Sequence, residues 1–155
     1  MIIRLIAAIV LCVLLGSIGA LVTETGPGSW YQSLEKPFFS PPNWLFAPMW
    51  TSLFILMGIS LFLVWNTGLQ HRDVQIAIGV FGIQFFFNII WSFLFFGLQS
   101  PILGLLDIVL LWFMIIGTII VFYPVKKKAA YLLVPYLIWV SCATILNYSI
   151  YILNP

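Results

Sequence analysis

Charged residues are scarce in this sequence, and their scarcity excludes a soluble globular protein. Only 6% of the 155 residues are Asp, Glu, Lys or Arg, against about 25% in a typical soluble chain. Six basic and four acidic side chains cannot keep a domain of this size in solution, and 63% of the residues are hydrophobic. The composition therefore predicts an integral membrane protein.

Residues that build common catalytic and metal sites are also rare. His71 is the only histidine, and Cys12 and Cys142 are the only cysteines. None of them belongs to a motif with the spacing of a metal site, a nucleophile elbow or a phosphate loop. We therefore expect no metal and no required cofactor. Because Lys126–Lys128 is the only basic cluster, we expect no nucleic-acid partner either.

Five apolar runs are present, each close to the length of about 20 residues that a helix needs to cross a bilayer. No segment alternates strictly between apolar and polar residues, which disfavours a β-barrel. The sequence predicts an all-α integral membrane protein, a single domain over residues 1–155 formed by one bundle of five transmembrane helices with a structured first loop. The expected spans are 5–22, 44–65, 74–98, 102–123 and 129–153.

The basic residues indicate how the chain lies in the membrane. With five spans, Arg4, Arg72 and Lys126–Lys128 fall on one side and only Lys36 falls on the other. Basic loops remain cytoplasmic in most membrane proteins. In a bacterial inner membrane we therefore expect a cytoplasmic N-terminus and an external C-terminus. The side that carries the first loop is called the outer side below.

The first loop, residues 23–42, is the only connection long enough to form structure of its own. It contains Trp30 and Tyr31, and Pro37, Pro41 and Pro42 restrict its backbone. Proline fixes φ and also favours an extended conformation in the residue before it. The loop is therefore predicted to form a stiff lid over the outer end of the bundle.

Polar residues inside the spans are few, and their depths favour a cavity in the outer half. Asp107 and Asn147 each lie six residues from the outer end of a span, or about 9 Å deep, and Asn88 lies about 15 Å deep. Polar groups at such depths usually face the bundle interior. We expect Asp107 to be a buried structural acid that accepts a hydrogen bond from a neighbouring helix, for example from a tryptophan indole. A direct ligand or proton role is the alternative.

Helical spacing places aromatic residues on three inward faces. The faces are Gln84, Asn88, Trp91 and Phe95; Trp139, Ala143, Leu146 and Ile150, with Asn147 beside them; and Trp50, Phe54 and Met57. Residues spaced by three and four share one side of a helix. These faces predict either an apolar pocket with a few polar groups or ordinary packing, in which Asn88 and Asn147 form hydrogen bonds between helices.

Several segments resemble a known family. The first loop and the start of the second span read Trp30-Tyr-Gln-Ser-Leu-Glu-Lys-Pro-Phe-Phe-Ser-Pro-Pro-Asn-Trp-Leu-Phe-Ala-Pro-Met-Trp50. This run resembles the signature loop of the translocator protein family, also called tryptophan-rich sensory proteins or peripheral-type benzodiazepine receptors. Residues 88–96, Asp107 and residues 135–147 resemble its later helix motifs, in the same order.

The resemblance implies a five-helix protein, often a homodimer, with an outer-half pocket closed by the first loop. Ligands of the family are porphyrins such as protoporphyrin IX, and isoquinoline and benzodiazepine drugs. Gly16 and Ala20 supply one small-xxx-small pair, a spacing typical of helix dimers in membranes. The ligand-binding positions that the resemblance implies are Tyr31, Trp50, Asn88, Trp91, Phe95, Trp139, Ala143, Leu146 and Asn147.

Two functions are implied. The first is a membrane sensor or carrier that binds a tetrapyrrole without changing it. The second is an enzyme, because some family members degrade protoporphyrin in light and Trp50 and Trp139 match the tryptophans implicated. The chain lacks the animal-type Tyr followed by Lys or Arg after the fifth span, since only Ile152–Pro155 follow Tyr151. We therefore expect a prokaryotic member with weak or no specific cholesterol binding.

Overall fold

The computed structural model describes residues 1–155 and contains helices and turns but no strands. Five helical segments are long and apolar enough to cross a membrane, so the predicted all-α, multi-pass, five-helix architecture is confirmed. The helices are α1 (Ile2–Ala20), α2 (Trp30–Ser33), α3 (Asn43–Trp65), α4 (Arg72–Ser92), α5 (Pro101–Val125), α6 (Lys127–Leu132) and α7 (Val134–Leu153). A π-helical turn, Phe93–Gly97, extends α4, and α6 with α7 forms the fifth span.

Prolines and small polar caps determine where several helices begin. Ser100 accepts a hydrogen bond from the Leu103 N–H, and Pro101 follows in the first turn of α5. Pro135 stands in the first turn of α7, next to the break at Leu133. Proline lacks the N–H that would bond to the preceding turn, so the fifth span is divided into α6 and α7.

The five spans form a ring. α1 packs against α3 and α4, α4 against α5, and α5 against α7. The ring closes where α3 packs against α6, whereas α3 and α7 have little backbone contact. The seam between α3 and α7 is therefore closed at the inner end and wider in the outer half.

Two glycines allow α1 and α3 to approach closely. A Cβ atom on Gly58 would lie 2.5 Å from the Ile9 Cα, and one on Gly16 would lie 2.3 Å from the Phe54 ring. Gly16 is therefore packed against α3 within the chain, whereas Ala20, the other member of the small-xxx-small pair, is exposed. The glycines of α4, Gly79 and Gly82, have open space beside them.

Candidate functional site

The first loop covers the outer end of the ring through the side chain of Tyr31. Tyr31 lies on α2 and is only 2% exposed. Its ring contacts those of Phe46, Phe95 and Phe96, at centroid distances of 6.1, 6.3 and 5.6 Å. Burial among these rings raises the pKa of the Tyr31 phenol above its ordinary value.

Hydrogen bonds tie the loop to the residue that follows α7 and to the first residue of α3. The Glu35 N–H donates to Asn154 Oδ1 at 3.0 Å, and Asn154 Nδ2 donates to the Glu35 carbonyl at 2.9 Å. Asn43 Nδ2 donates to the Thr25 carbonyl. The loop is therefore a latched lid, and the paired bonds between Glu35 and Asn154 are called the latch below.

Lys36, the only basic residue of the outer side, forms its hydrogen bonds within the loop. Its Nζ donates to the carbonyls of Tyr31 and Leu34, at 2.8 and 3.0 Å. The ammonium also lies 4.8 Å from the centroid of the Tyr31 ring. Partial burial lowers the pKa of Lys36. Lys36 thus stabilises the end of α2.

The first of two cavities lined by predicted site residues, the α1 cavity, lies between α1, α3 and α4 and has a volume of about 220 Å³. Trp50, Asn88 and Trp91 line it. Several hydroxyl groups line it as well. Ser17 and Thr51 each donate to the carbonyl four residues earlier, at 2.7 and 2.8 Å. Because their hydroxyl protons are used in these bonds, the two side chains offer a ligand only the lone pairs of their oxygens.

The second, the α7 cavity, lies in the outer part of the seam between α3 and α7 and has a volume of about 330 Å³. Trp139, Ala143 and Leu146 line it, and Cys142 is its least apolar residue. Cys142 and Ile145 are exposed on the outside of the bundle. In a membrane the mouth of this cavity would therefore face the hydrocarbon.

A small central void of about 20 Å³ lies under Tyr31, between the two cavities. The π-helical turn shapes it, because Phe95 and Phe96 are adjacent in sequence and yet both buried. The Trp91 ring stacks on Phe95 with a centroid distance of 5.3 Å. Phe46 is the one residue that lines all three spaces.

Two hydrogen-bonded bridges cross the middle of the ring from α4 to α7. Asn88 Nδ2 donates to the Tyr136 hydroxyl at 2.8 Å, and this hydroxyl donates to Gln84 Oε1 at 3.0 Å. The Trp91 indole donates to Asn147 Oδ1 at 3.1 Å, and Asn147 Nδ2 donates to the Pro101 carbonyl at 2.8 Å. Both asparagines thus join helices, and Asn88 also lines the α1 cavity.

Asp107 is buried, with 5% of its surface exposed, and its Oδ2 atom has no hydrogen-bond partner. No indole donates to it, contrary to our expectation: the Trp91 and Trp112 N–H groups bond to Asn147 and Ser141, and the Trp139 N–H has no partner. No three His, Cys, Asp or Glu side chains lie close enough together to hold a metal ion.

The nine predicted site residues do not line one continuous pocket. Three line the α1 cavity, three line the α7 cavity, and Tyr31, Phe95 and Asn147 line only the central void. Their role in ligand binding remains a prediction. Sequence reasoning missed Phe46, Phe96 and the α1 residues such as Ser17. The hydroxyl and glycine residues of the first span were the signal in the sequence that could have indicated the α1 residues.

Comparison with known proteins identifies the family. Residues 8–153 match the model of the TspO/MBR family. The chain belongs to the TspO/MBR family. The resemblance to the translocator protein family, drawn from the loop and helix motifs, is therefore confirmed, since relatives named translocator protein and tryptophan-rich sensory protein also match.

Individual relatives of this TspO/MBR chain cover nearly its whole length. It is 48% identical to the tryptophan-rich protein TspO of Chlorobaculum tepidum, over 99% of this chain and 98% of the relative. It is 44% identical to the protein of that name from Archaeoglobus fulgidus, over 99% and 98%. It is 34% identical to the tryptophan-rich sensory protein of Cereibacter sphaeroides, over 83% and 78%.

Proposed function

We propose that this protein binds a tetrapyrrole such as protoporphyrin IX in its outer-half cavities and acts as a membrane sensor or carrier. The observation that supports this most directly is the placement of Trp50, Trp91 and Trp139 around adjoining cavities beneath a latched loop. Indole rings stack on flat aromatic ligands and bury a large area. The name of one relative describes a sensory protein, and we extend that role to this chain as part of the proposal.

The different linings of the two cavities favour an amphipathic ligand. Hydroxyl and amide groups line the α1 cavity, whereas the α7 cavity is almost wholly apolar. A ligand with one polar edge would place that edge toward α1 and its apolar edge toward α7. We extend the proposal to isoquinoline and benzodiazepine-type drugs, whose fused rings suit an apolar cavity with few polar groups.

Two further parts of the proposal concern the assembly and the membrane. We propose a homodimer, for which Gly79 and Gly82 on the exposed side of α4 offer a surface of small residues. We also propose that the first loop faces outward in a bacterial inner membrane, because the basic residues are concentrated at the opposite side.

The proposed binding is tested by titrating the detergent-purified protein with protoporphyrin IX in the dark and following tryptophan fluorescence. Saturable quenching is expected, because the ligand would stack on the indoles. Trp112 lies outside the three spaces, so Trp112→Phe is the matched control and should leave the apparent Kd unchanged. Linear, unsaturable quenching would refute the proposed function.

A light-driven degradation of protoporphyrin is the second candidate, and the state of Trp139 favours it. Its indole N–H is buried without a partner, and the ring lines the α7 cavity. The test is illumination of the complex, with absorbance of products and turnover per protein as the readout. The double variant Trp50→Phe, Trp139→Phe should lose photochemistry while retaining dark binding. Bleaching of the protein without a defined product would exclude an enzyme.

A further inference from the structure

One side chain, that of Phe46, borders both cavities of the proposed site and the central void between them. Trp91 and Phe96 line both the α1 cavity and the central void, whereas Ala143 and Leu146 line both the central void and the α7 cavity. The three spaces therefore lie in a row across the outer half of the bundle. Phe46 is the one residue that borders all three, so its ring contributes to both boundaries along this row.

The Phe46 ring packs against two aromatic rings but is not fully buried. It meets the Tyr31 ring edge-on at 6.1 Å from one side and the Trp139 ring at 6.1 Å from another. Phe46 is only half-buried, whereas Phe95, which faces the same void, is 2% exposed. A half-buried side chain that borders cavities has space to change rotamer.

The backbone beneath Phe46 is also weakly constrained. Phe46 lies in the first turn of α3, two residues before Pro48. Pro48 has no N–H, so the carbonyl of Trp44 lacks the usual bond from the residue four positions later. The turn that carries Phe46 is therefore joined to the rest of α3 by fewer hydrogen bonds than an ordinary helical turn.

We propose that Phe46 is the residue that determines which ligands the site accepts by size: small ring systems fit in the α7 cavity with Phe46 in place, and a macrocycle must displace the Phe46 ring to occupy both cavities. This inference rests on the proposed function, which supplies the macrocycle. The α7 cavity, at about 330 Å³, is at the lower limit of ligand pockets, which span about 300–1,000 Å³. Only the joined space suits a tetrapyrrole.

Displacement of Phe46 explains how Trp50 and Trp139 can act on one ligand. Trp50 lines only the α1 cavity and Trp139 lines only the α7 cavity. A small ligand in either cavity contacts one of these indoles. A flat ligand that replaces the Phe46 ring contacts both.

The test compares wild type with Phe46→Ala and Phe46→Trp, using protoporphyrin IX as the large probe and an isoquinoline carboxamide as the small one. The Phe38→Ala variant is the control, because Phe38 is a fully exposed loop phenylalanine outside the three spaces. Association rate and apparent Kd are measured by stopped-flow and equilibrium quenching. Protection of Cys142 from a neutral maleimide reports occupancy of the α7 cavity, since Cys12 is buried.

Phe46→Ala should bind protoporphyrin about ten-fold more tightly and faster, because the displaced state of a gating side chain is a minor population that reduces the apparent affinity. Phe46→Trp should weaken and slow that binding. The small probe should still protect Cys142 in Phe46→Ala, with a smaller change in Kd than protoporphyrin shows, and this protection also shows that the variant is folded. If Phe46→Ala does not fold, weaker and slower protoporphyrin binding to Phe46→Trp supports the proposal, and unchanged binding to that variant overturns it.

The outcomes separate this inference from the function on which it rests. Saturable protoporphyrin binding to wild type, with equal Kd and rates in both Phe46 variants, would overturn the size selection alone. Equal changes for the small and large probes would do the same, because Phe46 would then be an ordinary contact residue. Absence of saturable binding to wild type and to both variants would overturn the proposed function together with the inference.

Discussion

Tryptophans that look equivalent in the sequence differ in the hydrogen bonds that their indole N–H groups form. The Trp91 N–H donates to Asn147 Oδ1 and the Trp112 N–H donates to Ser141 Oγ at 2.8 Å. The Trp139 N–H is buried and has no partner. A hydrogen bond between helices in a membrane stabilises modestly, but a buried acceptor that loses its donor costs more. Trp91 therefore has a structural role that Trp139 lacks.

Replacement of Trp91 by Phe should destabilise the protein more than replacement of Trp139 by Phe. The first change leaves Asn147 Oδ1 without its donor and should cost about 1 kcal/mol more than the second. Thermal unfolding in detergent, followed by circular dichroism, measures the difference. Equal unfolding temperatures for the two variants would contradict the assignment of the Trp91 bond.

Asp107 leads to a second prediction at this scale. The side chain is buried and lines none of the three spaces, so Asp107→Asn should change the apparent Kd for protoporphyrin by less than about three-fold, or about 0.7 kcal/mol. Fluorescence titration of the variant checks this. A folded variant that no longer binds would show that Asp107 acts on the ligand.

Part of this residue-level detail was predictable from the sequence. Depth and helical spacing indicated that Asn88, Trp91 and Asn147 face inward, because a bilayer leaves polar groups few other positions. The pairing of Trp91 with Asn147 was not predictable, because it depends on how two distant helices are rotated about their axes. For the same reason the indole partner expected for Asp107 was wrong.

At the scale of elements, the first loop depends on its latch to the end of α7. Asn154 imitates a strand neighbour by exchanging two hydrogen bonds with the backbone of Glu35. The remaining side-chain bonds to neighbouring helices, from Thr23 to the Gly19 carbonyl and from Asn43 to the Thr25 carbonyl, lie near the start of the loop. The latch thus determines how firmly the middle of the loop, with Tyr31, is held over the outer end of the ring.

Removal of the latch should loosen the lid without unfolding the bundle. In Asn154→Ala, hydrogen exchange across residues 30–36 should accelerate about ten-fold, as expected when roughly 1.4 kcal/mol of local stability is lost. Protoporphyrin should also dissociate faster. Ser149→Ala is the control, because Ser149 bonds only within its own helix. Unchanged exchange in Asn154→Ala would mean that Tyr31 alone holds the loop.

The contact between α1 and α3 gives another element-scale prediction. Gly58→Ala should lower stability by about 1–3 kcal/mol, because overpacking forces the backbone to shift, and here the added Cβ would meet the Ile9 Cα. Gly117→Ala is the matched control, since its Cβ would meet no atom within 4 Å. Unfolding temperatures of both variants are compared. A neutral Gly58→Ala would mean that the two helices move apart easily.

For the whole molecule, the five-helix architecture was predictable from the sequence, but the division of the candidate site into two cavities was not. A bilayer requires apolar spans whose backbone groups are bonded internally, so length and hydropathy were sufficient to predict five helices. The α7 cavity results from the divergence of α3 and α7 beyond the break near Pro135, whereas the α1 cavity lies between other helices. The sequence analysis treated residues 129–153 as one uninterrupted span, so it predicted neither the break nor the seam that the break opens.

Orientation in the membrane can be tested on the intact protein. If basic residues remain cytoplasmic, Phe38→Cys should react with a membrane-impermeant maleimide on intact spheroplasts. Lys128→Cys should react only after permeabilisation. Both are made in a Cys142→Ser background, and both positions are exposed. The reverse pattern would place the first loop in the cytoplasm.

The lateral mouth of the α7 cavity also determines what an affinity measurement on this protein means. Cys142 and Ile145 lie at the rim on the outside of the bundle, so a ligand that binds as proposed would arrive from the hydrocarbon. The concentration that governs occupancy is then the mole fraction of ligand in the lipid or detergent phase. Apparent dissociation constants should increase in proportion to the amount of lipid or detergent added, and they become comparable between preparations only after correction for partitioning.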